Sequence, residues 1–321
     1  MTGARIKNDP HDLSTLKLGL TPWDFSDRSA KSLTAQAAFA ESRGYESFWL
    51  PENHFIANAL PDPLLLLAAV AAGTSKIKLA TTSYLLPLRN PLLAAEQVAI
   101  LDHLSNGRVI LGVGRGYSKE TLHAFDIQPS TKRQLFEWCL GIMTQAWHGE
   151  PVSLHEDGSS AVTLSPLPVQ KPHPPVWVAA FGPKALAQAG RLGLPYLASP
   201  IETFEQLRTN YDAYDHAIEA SAHASPKERP VMRSVFVCDD KDKLKQVKDK
   251  LRKSKPPAGL ESSPEIDDWA IVGDASYARD QISKLQDSLG ATHLIITRLR
   301  IDGFEQTDFK SSLEKIAELV C

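Results

Sequence analysis

The 321-residue sequence is 43% hydrophobic and 23% charged, and its 35 Lys and Arg against 38 Asp and Glu leave a net charge of −3. A near-neutral chain with no basic block is not built for nucleic acid, and its longest apolar stretch, Leu64–Ala72, is too short to span a bilayer. Cys139, Cys238 and Cys321 lie far apart and form no CxxC pair, so reduced thiols are expected, and the first sixteen residues hold no apolar run for a signal peptide, so the expected location is cytoplasmic.

In chain order, apolar or β-branched runs predict strands at Leu16–Leu20, Ser47–Leu50, Ile77–Ser83, Val109–Val113, Val176–Ala180, Tyr196–Ala198, Val231–Cys238 and His293–Arg298. Helical patterns fill the gaps: Ala30–Arg43, Pro63–Ala72, Pro91–His103, Lys132–Trp147, Pro183–Leu192, Thr203–Ala222, Lys241–Lys253 with Tyr277–Leu289, and Asp308–Leu319. Asn90 reads as an N-cap with Pro91 at the first helical position, and Gly44 stands just past a helix end. Alternation from end to end selects a parallel sheet. Eight strands, each followed by helix, predict an α/β fold, a (β/α)8 TIM barrel spanning 1–321 as a single domain; an open doubly wound sheet is the alternative.

Two insertions interrupt the rhythm, one after the fourth strand and one after the seventh. Gly149–Pro175 carries an EDGSS turn at Gly158 and then a proline-rich run, which predicts a hairpin followed by an extended surface segment. Lys253–Asp268, KSKPPAGLESSPEIDD, has the composition of a flexible linker or a mobile lid, and its place after the seventh strand favours the lid.

In a barrel the chemistry sits at the C-terminal ends of the strands. Those ends carry Thr21, Pro22, Trp23, Asp24 and Phe25; then Pro51, Glu52, Asn53, His54 and Phe55; then Thr81, Thr82, Ser83 and Tyr84. After the fourth strand come Gly114, Arg115, Gly116 and Tyr117, after the fifth Phe181, Gly182, Pro183 and Lys184, and after the sixth Ser199 and Pro200. Aromatic walls, a few hydroxyls, one guanidinium and a helix start suit a planar aromatic ligand with a phosphate tail.

GVGRG at Gly112–Gly116 follows a strand as a dinucleotide fingerprint does, but its spacing is GxGxG and no acidic residue stands where a ribose would need one. The glycines could serve only to let the chain leave the sheet; Arg115 among them favours an anion site. At Phe181-Gly182-Pro183 a strand turns into a helix whose free N–H groups attract phosphate, unless this is an ordinary βα turn. PENHF, Pro51–Phe55, packs a carboxylate, an amide and an imidazole into one loop, which makes Glu52, Asn53 and His54 candidate catalytic groups beside a reading of His54 as incidental. No HxH or HExxH spacing occurs, and no metal site is expected.

GYESFWLPENHF at Gly44–Phe55, IKLATTSYLLPLRNPLLAAEQVAILDHLSNGRVILGVGRGY at Ile77–Tyr117, SPLPVQKPHPPVWVAAFGPKALAQAGRLGLP at Ser165–Pro195 and VGDASYARDQISKLQDSLGATHLIITR at Val272–Arg298 together resemble the bacterial-luciferase-like flavin monooxygenases. The resemblance implies a TIM barrel, usually dimeric, that binds reduced FMN or a deazaflavin coenzyme with the ring in the barrel mouth. By position it implies that Thr82 and Ser83, often joined by a non-prolyl cis peptide in the family, lie under the ring. Arg115, Phe181 and Gly182 would surround the phosphate, Ala179 would be a further cofactor contact, Ser199 would touch the ring, and Glu96 would be a helix carboxylate near the site.

One departure stands out. Where luciferase-type members have Glu-His-His, this chain has Glu52-Asn53-His54, and asparagine cannot shuttle protons at neutral pH. Luciferase-type aldehyde oxidation is therefore not expected, and His54 is the candidate to take over proton transfer. The expected function is oxygenation of a small organic substrate with O2 and reduced FMN from a separate NAD(P)H:flavin reductase, in a homodimer. Trp23, Phe25, Phe55 and Tyr117 are candidates for an apolar substrate pocket. A deazaflavin-dependent dehydrogenase or reductase, and a non-catalytic flavin-binding relative, are the alternatives.

Overall fold

A computed structural model describes residues 12–253, 265–299, 301 and 305–320. Its strands are β1 Lys17–Leu20, β2 Ser47–Leu50, β3 Lys78–Thr81, β4 Tyr84–Leu85, β5 Val109–Gly114, β6 Val176–Ala179, β7 Tyr196–Leu197, β8 Pro230–Val237, β9 Ala270–Gly273 and β10 His293–Thr297. The registered strand pairs are all parallel. Every residue of β2, β5, β8 and β9 is buried, as expected of parallel strands covered on both faces and spelled as continuous apolar runs. The eight expected strands are all present. The two unexpected ones, β4 and β9, are short and adjoin other elements: β4 follows β3 closely, and β9 directly follows the four-residue helix Ile266–Trp269.

The chain divides into two compact units, residues 24–42 with 46–180, and residues 1–23 with 43–45 and 181–321. In the first, the strands run in the order β2-β3-β5-β6, with β4 also on β5. Leu50 pairs with Thr81, Ala80 with Ile110, Val113 with Val178 and Leu85 with Gly114. This register brings the C-terminal ends of four strands to one edge of the sheet. Its helices start where the sequence signals them. Asp62 accepts from Leu65 N–H ahead of Pro63, and Asn90 accepts from Leu92 and Leu93 N–H ahead of Pro91. The bridge between Val152 and Val162 is antiparallel, and Gly158 at the turn has φ of +71°, so the expected hairpin is present within 149–175.

The turn that delivers β5 is locked by one side chain. Asn106 and Gly107 take left-handed φ values of +54° and +74°, and the Arg108 guanidinium then reaches the carbonyls of Ser105, Ala71, Thr74 and Ile77 at 2.6–3.1 Å. Asp102, fully buried, accepts from the Gln170 backbone N–H and side-chain amide, both at 2.8 Å.

In the second unit the order is β1-β10-β8-β9, with Leu18 opposite Leu294, Ile296 opposite Arg233 and Val235 opposite Ile271. The helix Phe204–Glu219 opens with a capping box between Thr203 and Gln206, and the helix Ala275–Leu289 ends on Gly290 at φ +64°. Of the expected lid segment, residues 254–264 lie outside the described residues. Cys139 is buried and Cys238 half-buried, both as free thiols, and Cys321 lies outside the described residues. Among the described residues no helix is long and apolar enough to cross a membrane.

Because Arg108 ties one turn to four carbonyls, Arg108→Met is expected to lower unfolding free energy by about 2–4 kcal/mol. Denaturant titration of the two proteins measures it, and an unchanged midpoint would show that the turn holds without the guanidinium.

Candidate active site

At the C-terminal edge of the first unit, β2 ends at Leu50 and the chain leaves through PENHF. The Glu52 side chain is fully buried. It takes three donors: Leu85 N–H on Oε2 at 3.0 Å, and Arg89 Nη2 at 2.7 Å and His54 Nε2 at 2.8 Å, both on Oε1. Burial pushes the Glu52 carboxyl above its ordinary range, while the Arg89 charge and the Leu85 N–H pull the other way. Leu85 N–H and the Arg89 guanidinium donate to the two oxygens and favour the ionised form. Beside that carboxylate His54 Nε2 is placed to donate, an arrangement that would leave Nδ1 as the acceptor.

Sequence reasoning singled out Glu52 and His54 but neither Arg89 nor the Leu85 N–H. Both come from the stretch after β3, where β4 passes into the 3-10 turn Leu86–Leu88. Arg89 N–H closes that turn on Leu86 C=O at 3.0 Å, and Asn90 opens the next helix at once. The guanidinium lies 4.6 Å over the Tyr84 ring, whose hydroxyl meets Gln97 Oε1 at 3.3 Å. On the same stretch, the Arg89 carbonyl is touched by the Cys139 thiol at 3.9 Å; burial pushes that thiol up to about 11.

The other side of His54 is apolar. Phe125 meets the imidazole edge-on at 5.1 Å and Phe55 lies at 5.7 Å, the two phenyl rings being 5.9 Å apart. Phe55 is 73% exposed and has φ of +57°. Asn53 serves its own loop: its N–H donates to Leu60 C=O at 3.1 Å and its Oδ1 accepts from Leu60 N–H at 2.8 Å.

At the neighbouring strand ends, Thr81 Oγ1 donates to Gly112 C=O at 2.7 Å, and the Thr82–Ser83 peptide is cis. A Cβ at Gly114 would stand 2.2 Å from Ser83 Oγ, so any other residue there would force that serine to move. Arg115 is buried, donates to Ala179 C=O at 2.7 Å and lies 5.2 Å over the Phe136 ring. Burial, with the Arg133 charge, holds its pKa down to about 10 against the opposing Glu137. Lys132, bonded to Gly116 C=O at 2.9 Å, is lowered by burial and by the same arginines. Cations crowded beside a strand end attract an anion. Tyr117 is 91% exposed, Phe25 is half-buried, and Glu96 lies on the exposed side of its helix.

The remaining expected residues belong to the second unit. Trp23 is buried with the Lys310 ammonium 5.7 Å over its ring, a packed aromatic. Phe181 is exposed, and Gly182, at φ +79°, caps the helix Pro183–Arg191. Ser199 N–H donates to Glu202 Oε2 at 2.5 Å. The fully buried Glu202 also accepts from Tyr196 Oη and Asn210 Nδ2, and Arg233 Nη1 bonds its carbonyl at 2.7 Å. The sequence reading missed this cluster, whose acceptor, Glu202, stands one residue before a helix cap. Among the described residues no three His, Cys, Asp or Glu side chains converge as metal ligands.

The family described as luciferase-like monooxygenase matches residues 13–257. The chain is 26% identical over 201 residues to the alkanal monooxygenase alpha chain of Photorhabdus laumondii, covering 60% of this chain and 55% of that one. It spans about half the length of the curated relatives it matches. The monooxygenase RslO1 from Streptomyces bottropensis is similar in fold, at a TM-score of 0.80 and 24% identity over 95% of this chain and 98% of that one. So is the oxygenating constituent of 3,6-diketocamphane monooxygenase from Pseudomonas putida, a type II Baeyer-Villiger enzyme in complex with FMN: TM-score 0.79, 20% identity, 95% and 97% covered. An F420-dependent secondary alcohol dehydrogenase in complex with an F420-acetone adduct aligns at 0.73 with 18% identity, covering 95% and 99%.

The Glu202 carboxyl is raised, first by burial. The folded state then binds its proton more tightly than the unfolded chain, so this group's contribution is full below the unfolded pKa of about 4.3 and is lost as pH rises through the folded value. Glu202→Gln lacks the titration. Denaturant unfolding across pH 4 to 8 is expected to show wild type losing stability relative to the variant as pH rises; parallel curves would contradict the assignment.

Proposed function

This chain belongs to the luciferase-like monooxygenase family, and on that premise we propose that it is a flavin-dependent monooxygenase. It takes reduced FMN from a separate NAD(P)H:flavin reductase and, with O2, oxygenates a small organic substrate. One observation carries the reading: an imidazole held by a buried carboxylate at a strand end, with Ser83 and a buried arginine at the neighbouring ends. The likeness to an FMN-bound oxygenating component supports the choice of cofactor. The family's TIM barrel, a homodimer and a cytoplasmic location go with this reading, on the resemblance and the composition.

The residues fit a flavin. Gly114 lacks the Cβ that would fill the space against Ser83, and hydroxyl and guanidinium donors flank it. Thr82 and Ser83 would lie against the ring, with Arg115 and the chain at Ala179 beside the anionic tail. In the second unit, the N–H groups at the Gly182 helix start suit phosphate by their own geometry, and Phe181 and Ser199 are assigned to the cofactor by resemblance. When bound, reduced flavin supplies the electrons that activate O2.

The chain's own part is to hold a proton and keep water out. His54 accepts or returns the proton at Nδ1, and Glu52, bonded to Nε2, stabilises the imidazolium formed in between. Phe55 and Tyr117, with Phe125, offer apolar surface that excludes water from the reacting oxygen. Phe25 is assigned to the same apolar wall by its place in the sequence, and Trp23, which belongs to the second unit, is a candidate for substrate contact by its place after β1. Asn53, occupied by Leu60, supports His54 and not Asn53 as the proton carrier.

A second reading, deazaflavin-dependent hydride transfer without O2, is supported by the likeness to an F420-dependent dehydrogenase, and the same His54 would serve it. Anaerobic titration with reduced FMN and with reduced deazaflavin separates the two. The expected outcome is tighter binding of reduced FMN, with oxygen uptake on mixing. His54→Gln is expected to cut product formation about 10²- to 10⁴-fold with reduced-flavin affinity unchanged, and Arg115→Ala to weaken that affinity about tenfold or more. Preference for the deazaflavin with no oxygen uptake would favour the second reading, and full activity of His54→Gln would remove the histidine from the chemistry.

A further inference from the structure

We propose that Arg89 is a positioning residue for His54: by fixing Glu52, it keeps the imidazole hydrogen on Nε2 and leaves Nδ1 to exchange protons with the reacting groups. The inference rests on the reading of His54 as the proton carrier. Arg89 and His54 share one oxygen of Glu52, at 2.7 and 2.8 Å, while the other oxygen is held by the Leu85 N–H. The Glu52 side chain is completely buried and that of Arg89 is 19% exposed, so bulk water screens the pair only weakly. The buried Arg89 Nε has no hydrogen-bond partner among the described residues, so the guanidinium is committed to Glu52 and the face of Tyr84 without being fully satisfied.

Removing the positive charge leaves a desolvated carboxylate with fewer donors, and burial then favours its neutral form. A protonated carboxyl donates to the imidazole where the carboxylate accepted from it. The ring hydrogen therefore moves to Nδ1, and the lone pair assigned to proton exchange is lost. Among the described residues, the ionisable groups bearing on this arrangement include Tyr84 from β4, Asp62 through its field on Tyr84, and the Cys139 thiol against the Arg89 carbonyl. Phe55 and Phe125 on the other side of His54 carry no charge.

The test uses the full chain without flavin, labelled with 15N-histidine, at pH 7. Long-range 15N–1H correlation is expected to show His54 protonated at Nε2 in wild type and at Nδ1 in Arg89→Gln. Infrared difference spectra of Arg89→Gln should gain a protonated-carboxyl band that Glu52→Gln abolishes. Arg89→Lys, which restores the charge, should return the wild-type tautomer; it also decides the question if Arg89→Gln does not fold. In turnover, Arg89→Gln should lower kcat about tenfold or more with KM unchanged and move the acid limb of the pH–rate profile. In a His54→Gln background it should cost nothing further. A wild-type tautomer in Arg89→Gln, loss of that tautomer in Arg89→Lys, or an equal loss of kcat with and without His54 overturns the proposal. The tautomer measurement needs no flavin, so its failure is distinct from failure of the monooxygenase reading, which the product assay decides.

Discussion

A carboxylate that no water reaches must find its solvation inside the protein, and Glu52 finds it in a backbone amide, a guanidinium and an imidazole. Burying an ion costs several kcal/mol unless such partners are in place, so the surrounding backbone is shaped to supply them. The two-residue strand β4 presents the Leu85 N–H, the 3-10 turn brings Arg89 round, and the Asn90 cap with Pro91 fixes where that turn stops. A helix cap nine residues past Thr81 thus fixes the turn that carries Arg89 to Glu52.

The strands were readable because parallel strands covered on both faces are written as unbroken apolar runs, and β2 and the helices Pro63–Ala72 and Lys132–Trp147 fall where the sequence puts them. β4 escaped because Tyr84-Leu85 merges with the run before it, and β9 because its Ala-Ile-Val-Gly follows a helix without a break. Glu52, His54 and Arg115 were readable as polar residues stranded at the ends of buried runs. Arg89 was not, since LPLRNP spells a turn and a cap, and a backbone N–H such as that of Leu85 has no letter of its own. Trp23 and Phe25, two residues apart, fall in different units and differ in burial, which a strand-end argument does not distinguish.

The same segment shows how a family signature mixes two kinds of constraint. Asn106, Gly107 and Arg108 serve the backbone: two left-handed residues make the turn and a guanidinium collects its carbonyls. Gly114 and Arg115, six and seven residues further on, serve a surface where the chain must come close to Ser83 and keep a charge beside it. From letters alone both stretches are glycine next to arginine. What separates them is whether the guanidinium is spent on the turn that carries it.

Cys139 gives the cluster a property of another kind. Its thiol sits behind Arg89, buried, with its ionisation pushed up to about 11. A cysteine reacts with peroxide as the thiolate, which attacks the peroxide oxygen, and at neutral pH this one is almost wholly S–H. The fold thereby keeps a sulfur in its interior behind Arg89 without offering an electron-rich target at neutral pH.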